Sequence, residues 1–176
     1  MAARPARPAP FVAAQAVGAP AARAIWLLLW GSLAYFAVQP ANRAPQALTS
    51  MISTMSAGEP GWLSSIGQGA ATLLAGQGLP ASLLLAAALG VVAIGVYLPQ
   101  PAGRATLLLA MVLAAVTWVV GQALGEVLTG TGTDPGTGPL LMLLAAAYWP
   151  AASPVSDEER RRWWLDQPGS RTALPR

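Results

Sequence analysis

The side chains that could do chemistry in this chain are few. Most gather in one stretch, TGTGTDPGTGP from Thr129 to Pro139, with Glu126 just before it. Glycines, threonines and the carboxylate of Asp134 admit four uses: a phosphate cradle, a metal site, an ion path or a turn. A P-loop requires a lysine, and the chain has none; its glycine spacing also differs. No strand signal precedes the stretch, as a dinucleotide-binding turn would need. A calcium loop draws on several alternating carboxylates and a closing acid, whereas Asp134 has only Glu126 nearby. Asp-Pro-Gly is turn chemistry: aspartate bonds the following backbone, proline fixes φ and glycine permits unusual φ. The expectation is therefore a turn. Its alternatives are a structured plug and a ligand or ion loop made of Glu126, Thr131, Thr133 and Asp134.

Elsewhere the inventory is sparse. The chain has no cysteine and no histidine, which removes thiolate metal sites, thiol nucleophiles and imidazole bases together. No catalytic residue, metal or cofactor is expected. Met51 and Met55, four apart, could form a soft copper-binding pair; a hydrophobic stripe explains them equally well. Net charge is only +3, and the arginines form no basic face interleaved with aromatics. Nucleic acid is not an expected partner.

The elements that hold these residues are apolar. Of the residues, 55% are hydrophobic and 10% charged, against roughly 25% charged in soluble domains. A membrane helix needs about 20 mostly apolar residues. Four runs approach that length: 24–39, 79–98, 105–127 and 139–152. Pro80 suits the first turn of the second run and Pro99 ends it. The fourth run reaches only about 21 Å, short of a hydrocarbon core of about 30 Å. Within the third, Gly121 and Gly125 are spaced for close helix packing, in the chain's own bundle or between two copies.

Arginine placement sets direction. With four spans and both termini in the cytoplasm, Arg4, Arg7, Arg23, Arg104, Arg160, Arg161, Arg162, Arg171 and Arg176 lie inside, and Arg43 alone lies outside. That is a strong positive-inside bias. Trp26, Tyr97, Tyr148 and Trp149 then fall near the inner interface, Tyr35 and Phe36 near the outer one. The first run reads as a retained anchor, because Pro40 spoils a cleavage site.

The segments outside the spans are patterned too. Residues 1–23 read as a disordered Ala/Pro/Arg tail. The outer loop carries two helical stripes: Leu48, Met51, Ile52 and Met55, then Trp62, Leu63, Ile66, Ala70, Leu73 and Leu74. They predict short amphipathic helices over about 45–55 and 60–74. In the tail 153–176, Ser156 and Glu159 form a capping-box pattern ahead of Arg160–Arg162 and Trp163–Trp164, a short interfacial helix on anionic headgroups or a docking helix.

WVVGQALGEVLTGTGTDPGTGPLLMLLA, residues 118–145, resembles the C-terminal half of small polytopic membrane proteins of GC-rich actinobacteria. The turn NRAP and the helix start GWLSS are similar too, so the likeness spans roughly 24–149. It implies a bacterial cytoplasmic membrane and a multi-pass topology, and no mechanism.

The expected fold is an all-α, four-span membrane bundle with two amphipathic helices in the outer loop. The expected function is a structural or accessory subunit of a membrane assembly, with the bilayer and other membrane subunits or a second copy as partners. The alternative is a small channel or transporter using the outer-face carboxylates. A membrane enzyme is disfavoured because no nucleophile–base pair is present.

Overall fold

Alanine- and leucine-rich runs favour helix, and proline and glycine divide them into segments. The computed structural model describes residues 11–130 and 135–150, and among these every regular element is helical. The helices are α1 (Val12–Val17), α2 (Ala19–Ala37), α3 (Pro40–Arg43), α4 (Ala47–Met55), α5 (Gly61–Leu74), α6 (Gly78–Gly95), α7 (Ala102–Val116) and α8 (Thr137–Ala147). A π-helical segment, Thr117–Gly121, and a 3-10 turn, Ala123–Glu126, continue α7.

Long-range side-chain bonds fix the topology. Trp26 Nε1 donates to Val92 O, and Ser82 Oγ donates to Ala37 O. Moving up α2 therefore means moving down α6, so the two are antiparallel. Tyr148 Oη donates to Ala22 O, which ties the end of α8 to the start of α2. Gly138 lies against Trp118 and Ala114, and a Cβ there would come within 2.2 Å of Trp118 Cβ. The start of α8 thus meets the end of α7. One end of the bundle, called proximal, holds Arg23, Tyr97, Arg104 and Tyr148. The distal end holds Ala37, Gly78, Gln122 and Thr137.

The core is built on α2. Ala22, Trp26, Trp30 and Ala37 face inward. They meet Leu89, Val92 and Ala93 from α6, Leu107 and Ala110 from α7, and Ala145 and Tyr148 at the end of α8. Two helical stretches, Gly78–Gly95 and Ala102–Gly121, are long and apolar enough to cross a membrane. Only 33% and 28% of the residues in their apolar windows are buried, so neither helix is enclosed by the protein. Leu84, Leu108 and Val112 are among the large apolar side chains exposed there.

Several expectations need correction. Residues 11–23 do not continue a disordered tail: α1 and the start of α2 occupy them. Phe11 is buried and stacks on Tyr148, ring centroids 5.1 Å apart, and its backbone bridges to Pro150. Phe11 and Ala14 supply a packing surface that the Ala/Pro composition obscured, while Val12 and Val17 stay exposed. Trp26 and Tyr148 are core residues rather than interfacial ones, because each ring packs on the other at 4.6 Å and each polar atom finds a carbonyl.

The run 105–127 is not one α-helix either, since α7 gives way to the π segment at Thr117. The face of α5 also differs. Leu63, Gly67 and Ala71 are buried, whereas Trp62, Ile66 and Leu73 are exposed. The small residues decide this: a Cβ at Gly67 would lie 1.9 Å from Ser56 Oγ, so glycine is what lets α4 and α5 approach. The tail helix expected around Ser156–Trp164 lies outside the described residues.

Candidate functional site

The candidate loop is held by side chains on α7's extension. In the π segment, Trp118 Nε1 donates to Pro135 O at 2.7 Å. Gln122, the next residue after that segment, reaches across to the start of α8. Its Oε1 accepts from Thr137 N (3.1 Å) and Gly138 N (3.4 Å), and its Nε2 donates to Thr137 Oγ1. The first N–H groups of a helix lack intrahelical acceptors. A single glutamine therefore caps α8 from another element, where a local Ser, Asp or Asn would usually serve.

The backbone between these anchors is unusual. Ala123, Leu124 and Glu126 have φ of 44°, 59° and 57°. Left-handed backbone costs non-glycine residues roughly 1–2 kcal/mol each, and such strain clusters at functional sites and switches. π-bulges do likewise. Gly125 follows at φ 73°. Gly121 and Gly125 therefore do not form a ridge on one helix face: one is in the π segment and the other in a left-handed turn. Gly121 instead lies against Met51, whose Cε would be 3.8 Å from an added Cβ. Met51 thus packs α4 on the π segment, as the hydrophobic-stripe reading requires.

Of the expected ligand set, Thr131, Thr133 and Asp134 lie outside the described residues. Glu126 is partly buried, and its carbonyl accepts from Thr129 Oγ1 at 2.8 Å. Among the described residues, no three His, Cys, Asp or Glu side chains gather as a metal would need.

Below this junction lies a cavity of about 270 Å³. Leu33, Leu85, Leu89, Leu113, Ala114 and Leu141 make its apolar walls, and Asn42, Gln122 and Thr137 make its polar end. Trp30 forms part of the wall. It is 1% exposed, and its indole N–H finds no hydrogen-bond partner among the described residues. Phe36, 58% exposed, also lines the cavity, so the space runs from the core to the side of the bundle. The start of α8 stands alongside Trp118, about 22 Å up α7 from Gly103 at helical rise.

A second cavity, about 200 Å³, lies at the proximal end and is lined by Arg23, Gln100, Tyr148 and Phe11. The Arg23 guanidinium stands 5.9 Å over the Tyr97 ring, and its Nε has no hydrogen-bond partner. Glu59, between α4 and α5, is buried with both carboxylate oxygens unpartnered.

Sequence reasoning singled out the loop and missed Trp30, Gln122 and Glu59. Trp30 lies in the middle of the first apolar run, where an indole reads as one more apolar side chain, and Trp26, four residues earlier, was expected at the inner interface. Gln122 looks like an ordinary polar residue near the end of an apolar run. Glu59 sits in Gly-Glu-Pro, which reads as a solvated turn. Set beside protein-family models, characterised proteins and solved structures, the chain finds no match.

Proposed function

We propose that this chain is an integral protein of a bacterial cytoplasmic membrane, with four membrane segments and both termini inside, acting as a structural or accessory subunit of a larger membrane assembly. The observation that carries the reading is the exposure of its apolar helices. Exposed apolar surface marks contact with lipid or with another subunit, and α6 and α7 expose Leu83, Leu84, Val91, Ile94, Leu108 and Val112. The antiparallel order of α2, α6, α7 and α8 supports four segments. Arg23 and Arg104 at one end and Arg43 at the other agree in sign with a cytoplasmic proximal end. The resemblance to actinobacterial polytopic proteins supports the compartment.

Two measurements test this. The chain should stay with the membrane through an alkaline carbonate wash; release into the wash would overturn the membrane reading. Extracted in mild detergent, it should migrate on native gels at a mass well above one chain plus micelle. Migration alone would overturn the subunit reading and leave the membrane reading standing.

A small transporter or channel is the second reading, favoured by the interruption of α7 and the brevity of α8. Broken or short spans are where transport sites form, and irregular backbone at membrane depth is tolerated where protein or a watery cavity surrounds it. On this reading Glu126, with Thr131, Thr133 and Asp134, stands at the outer mouth. Cation flux into liposomes that is lost on Glu126→Gln would favour it over the subunit reading.

A further inference from the structure

We propose that the proximal cavity binds a phosphate group through the two terminal nitrogens of Arg23. The argument starts from a cation without a counter-ion. Arg23 is partly buried near the start of α2, where it lines a cavity of about 200 Å³. Among the described residues the acids are Glu59 and Glu126. Glu59 lies between α4 and α5, and Glu126 ends the 3-10 turn at the distal end, so no described carboxylate neutralises Arg23. Its charge meets the face of Tyr97, 5.9 Å from the guanidinium carbon, at the outer limit of a cation–π interaction. A partly desolvated charge is costly until an opposite charge and hydrogen bonds satisfy it.

The guanidinium is open where a ligand would meet it. Nε alone is enclosed without a partner; the two terminal nitrogens make no hydrogen bond to the described residues and stay accessible. They form one edge of a planar fork that fits two oxygens of a single phosphate. Gln100 lines the same space, and its amide nitrogen lies beside the start of α7, 3.0 Å from where a Cβ on Gly103 would stand. Tyr148 adds no donor, because its Oη is committed to Ala22 O. Exposed Leu98 and Gln100 leave the cavity open at its lip. The volume falls below the usual range for small-molecule pockets, about 300–1,000 Å³, so it takes one tetrahedral anion rather than a nucleotide. On the membrane reading, on which the choice of source rests, this end lies in the cytoplasmic headgroup layer, where basic pockets between helices take anionic lipid headgroups. Free phosphate in the cytoplasm offers the same chemistry.

The full chain in dodecyl maltoside micelles, which carry neither phosphate nor charge, provides the test, with melting followed by circular dichroism at constant ionic strength. Phosphatidylglycerol is added in one arm and inorganic phosphate in the other. A saturable rise in melting temperature with the lipid alone identifies a headgroup as the source; a rise with inorganic phosphate identifies a free-phosphate site. Arg23→Gln, which removes the charge, should raise the half-saturating concentration roughly tenfold to a hundredfold, the weight of one charge-assisted hydrogen bond. Arg23→Lys, which keeps the charge and loses the fork, should fall between. Arg104→Gln, at an exposed arginine of the same end, should respond as the wild type does. Before any anion is added, Arg23→Gln should melt no lower than the wild type, because it relieves an unpaired charge. No shift in either arm, an undiminished shift in Arg23→Gln, or an equal loss in Arg104→Gln overturns the inference. So does an Arg23→Gln chain that unfolds or melts far below wild type without anion, since the guanidinium would then already have its partner within the chain. A wrong membrane reading shows earlier, as release into the alkaline wash, and the inorganic-phosphate arm in detergent-free buffer then decides the cavity.

Discussion

The two ends of the bundle are packed on different principles. At the proximal end, Phe11, Trp26 and Tyr148 stack in sequence, with centroids 5.1 and 4.6 Å apart, and the indole and phenol each donate to a helix carbonyl. The neighbouring α1 and α2 and the end of α8, 126 residues on from Ala22, are closed by one aromatic seam. At the distal end the same helix face continues to Trp30, but there the donor is unmet and a cavity opens. The helix opposite changes from α to π and then to left-handed turn. Both ends hold a cavity. Only the distal one adds left-handed backbone at non-glycine residues, the kind of strain that clusters at functional sites and switches.

The largest effect that could break this contrast is at the seam. Trp26→Ala removes a fully buried ring that touches both Trp30 and Tyr148. Such truncations cost about 3–5 kcal/mol, so unfolding in mixed micelles should begin at much lower denaturant. A cost below about 1 kcal/mol would mean that the seam does not hold the bundle together. Next is Gly138→Ala. Its Cβ would come within 2.2 Å of Trp118 Cβ and 3.1 Å of Ala114 O, forcing α8 away from α7 at a cost of about 1–3 kcal/mol. Stability unchanged by Gly138→Ala would show that the helix contact is looser than drawn.

The helical segments were legible in the sequence where apolar length and punctuation agreed. α6 is bounded much as Pro80 and Pro99 imply, and α4 and α5 begin within two residues of the stripes and prolines that predicted them. Which face each helix buries was not legible. In a chain apolar on most sides, hydrophobic periodicity does not distinguish a face toward protein from a face toward lipid. On α5 the answer came from Gly67 and Ala71, which allow close approach, and not from Trp62 or Ile66. The end of α7 was hidden for a different reason. Apart from Gln122 and Glu126 the run from Trp118 to Val127 is apolar or glycine, and the side chain of Gln122 serves α8, 15 residues on. A tertiary contact of that kind leaves no local signature. The cavity was illegible for the same reason, since it needs four helices to exist.

Gln122 sharpens the comparison at intermediate size. Gln122→Ala strips acceptors from Thr137 N and Gly138 N and should cost about 0.5–2 kcal/mol, the usual range for a lost helix cap. Gln122→Glu keeps an accepting oxygen for both N–H groups and places negative charge at a helix start, which is favourable, but loses the donor to Thr137 Oγ1. It should sit between wild type and alanine. If glutamate were worse than alanine, burial of its charge would dominate over capping, and the distal end would be drier than its polar lining implies.

The smallest effect concerns strain itself. Leu124 holds φ 59° and ψ 24° and is only partly buried. Asparagine visits this region more readily than leucine because its short polar side chain bonds locally. Leu124→Asn should therefore recover some backbone strain while giving up part of the leucine's burial, leaving stability within about 1 kcal/mol of wild type. The readout is the midpoint of chemical denaturation. A loss larger than that would contradict this account, because it would mean that Leu124 is held by packing rather than tolerated against its backbone preference.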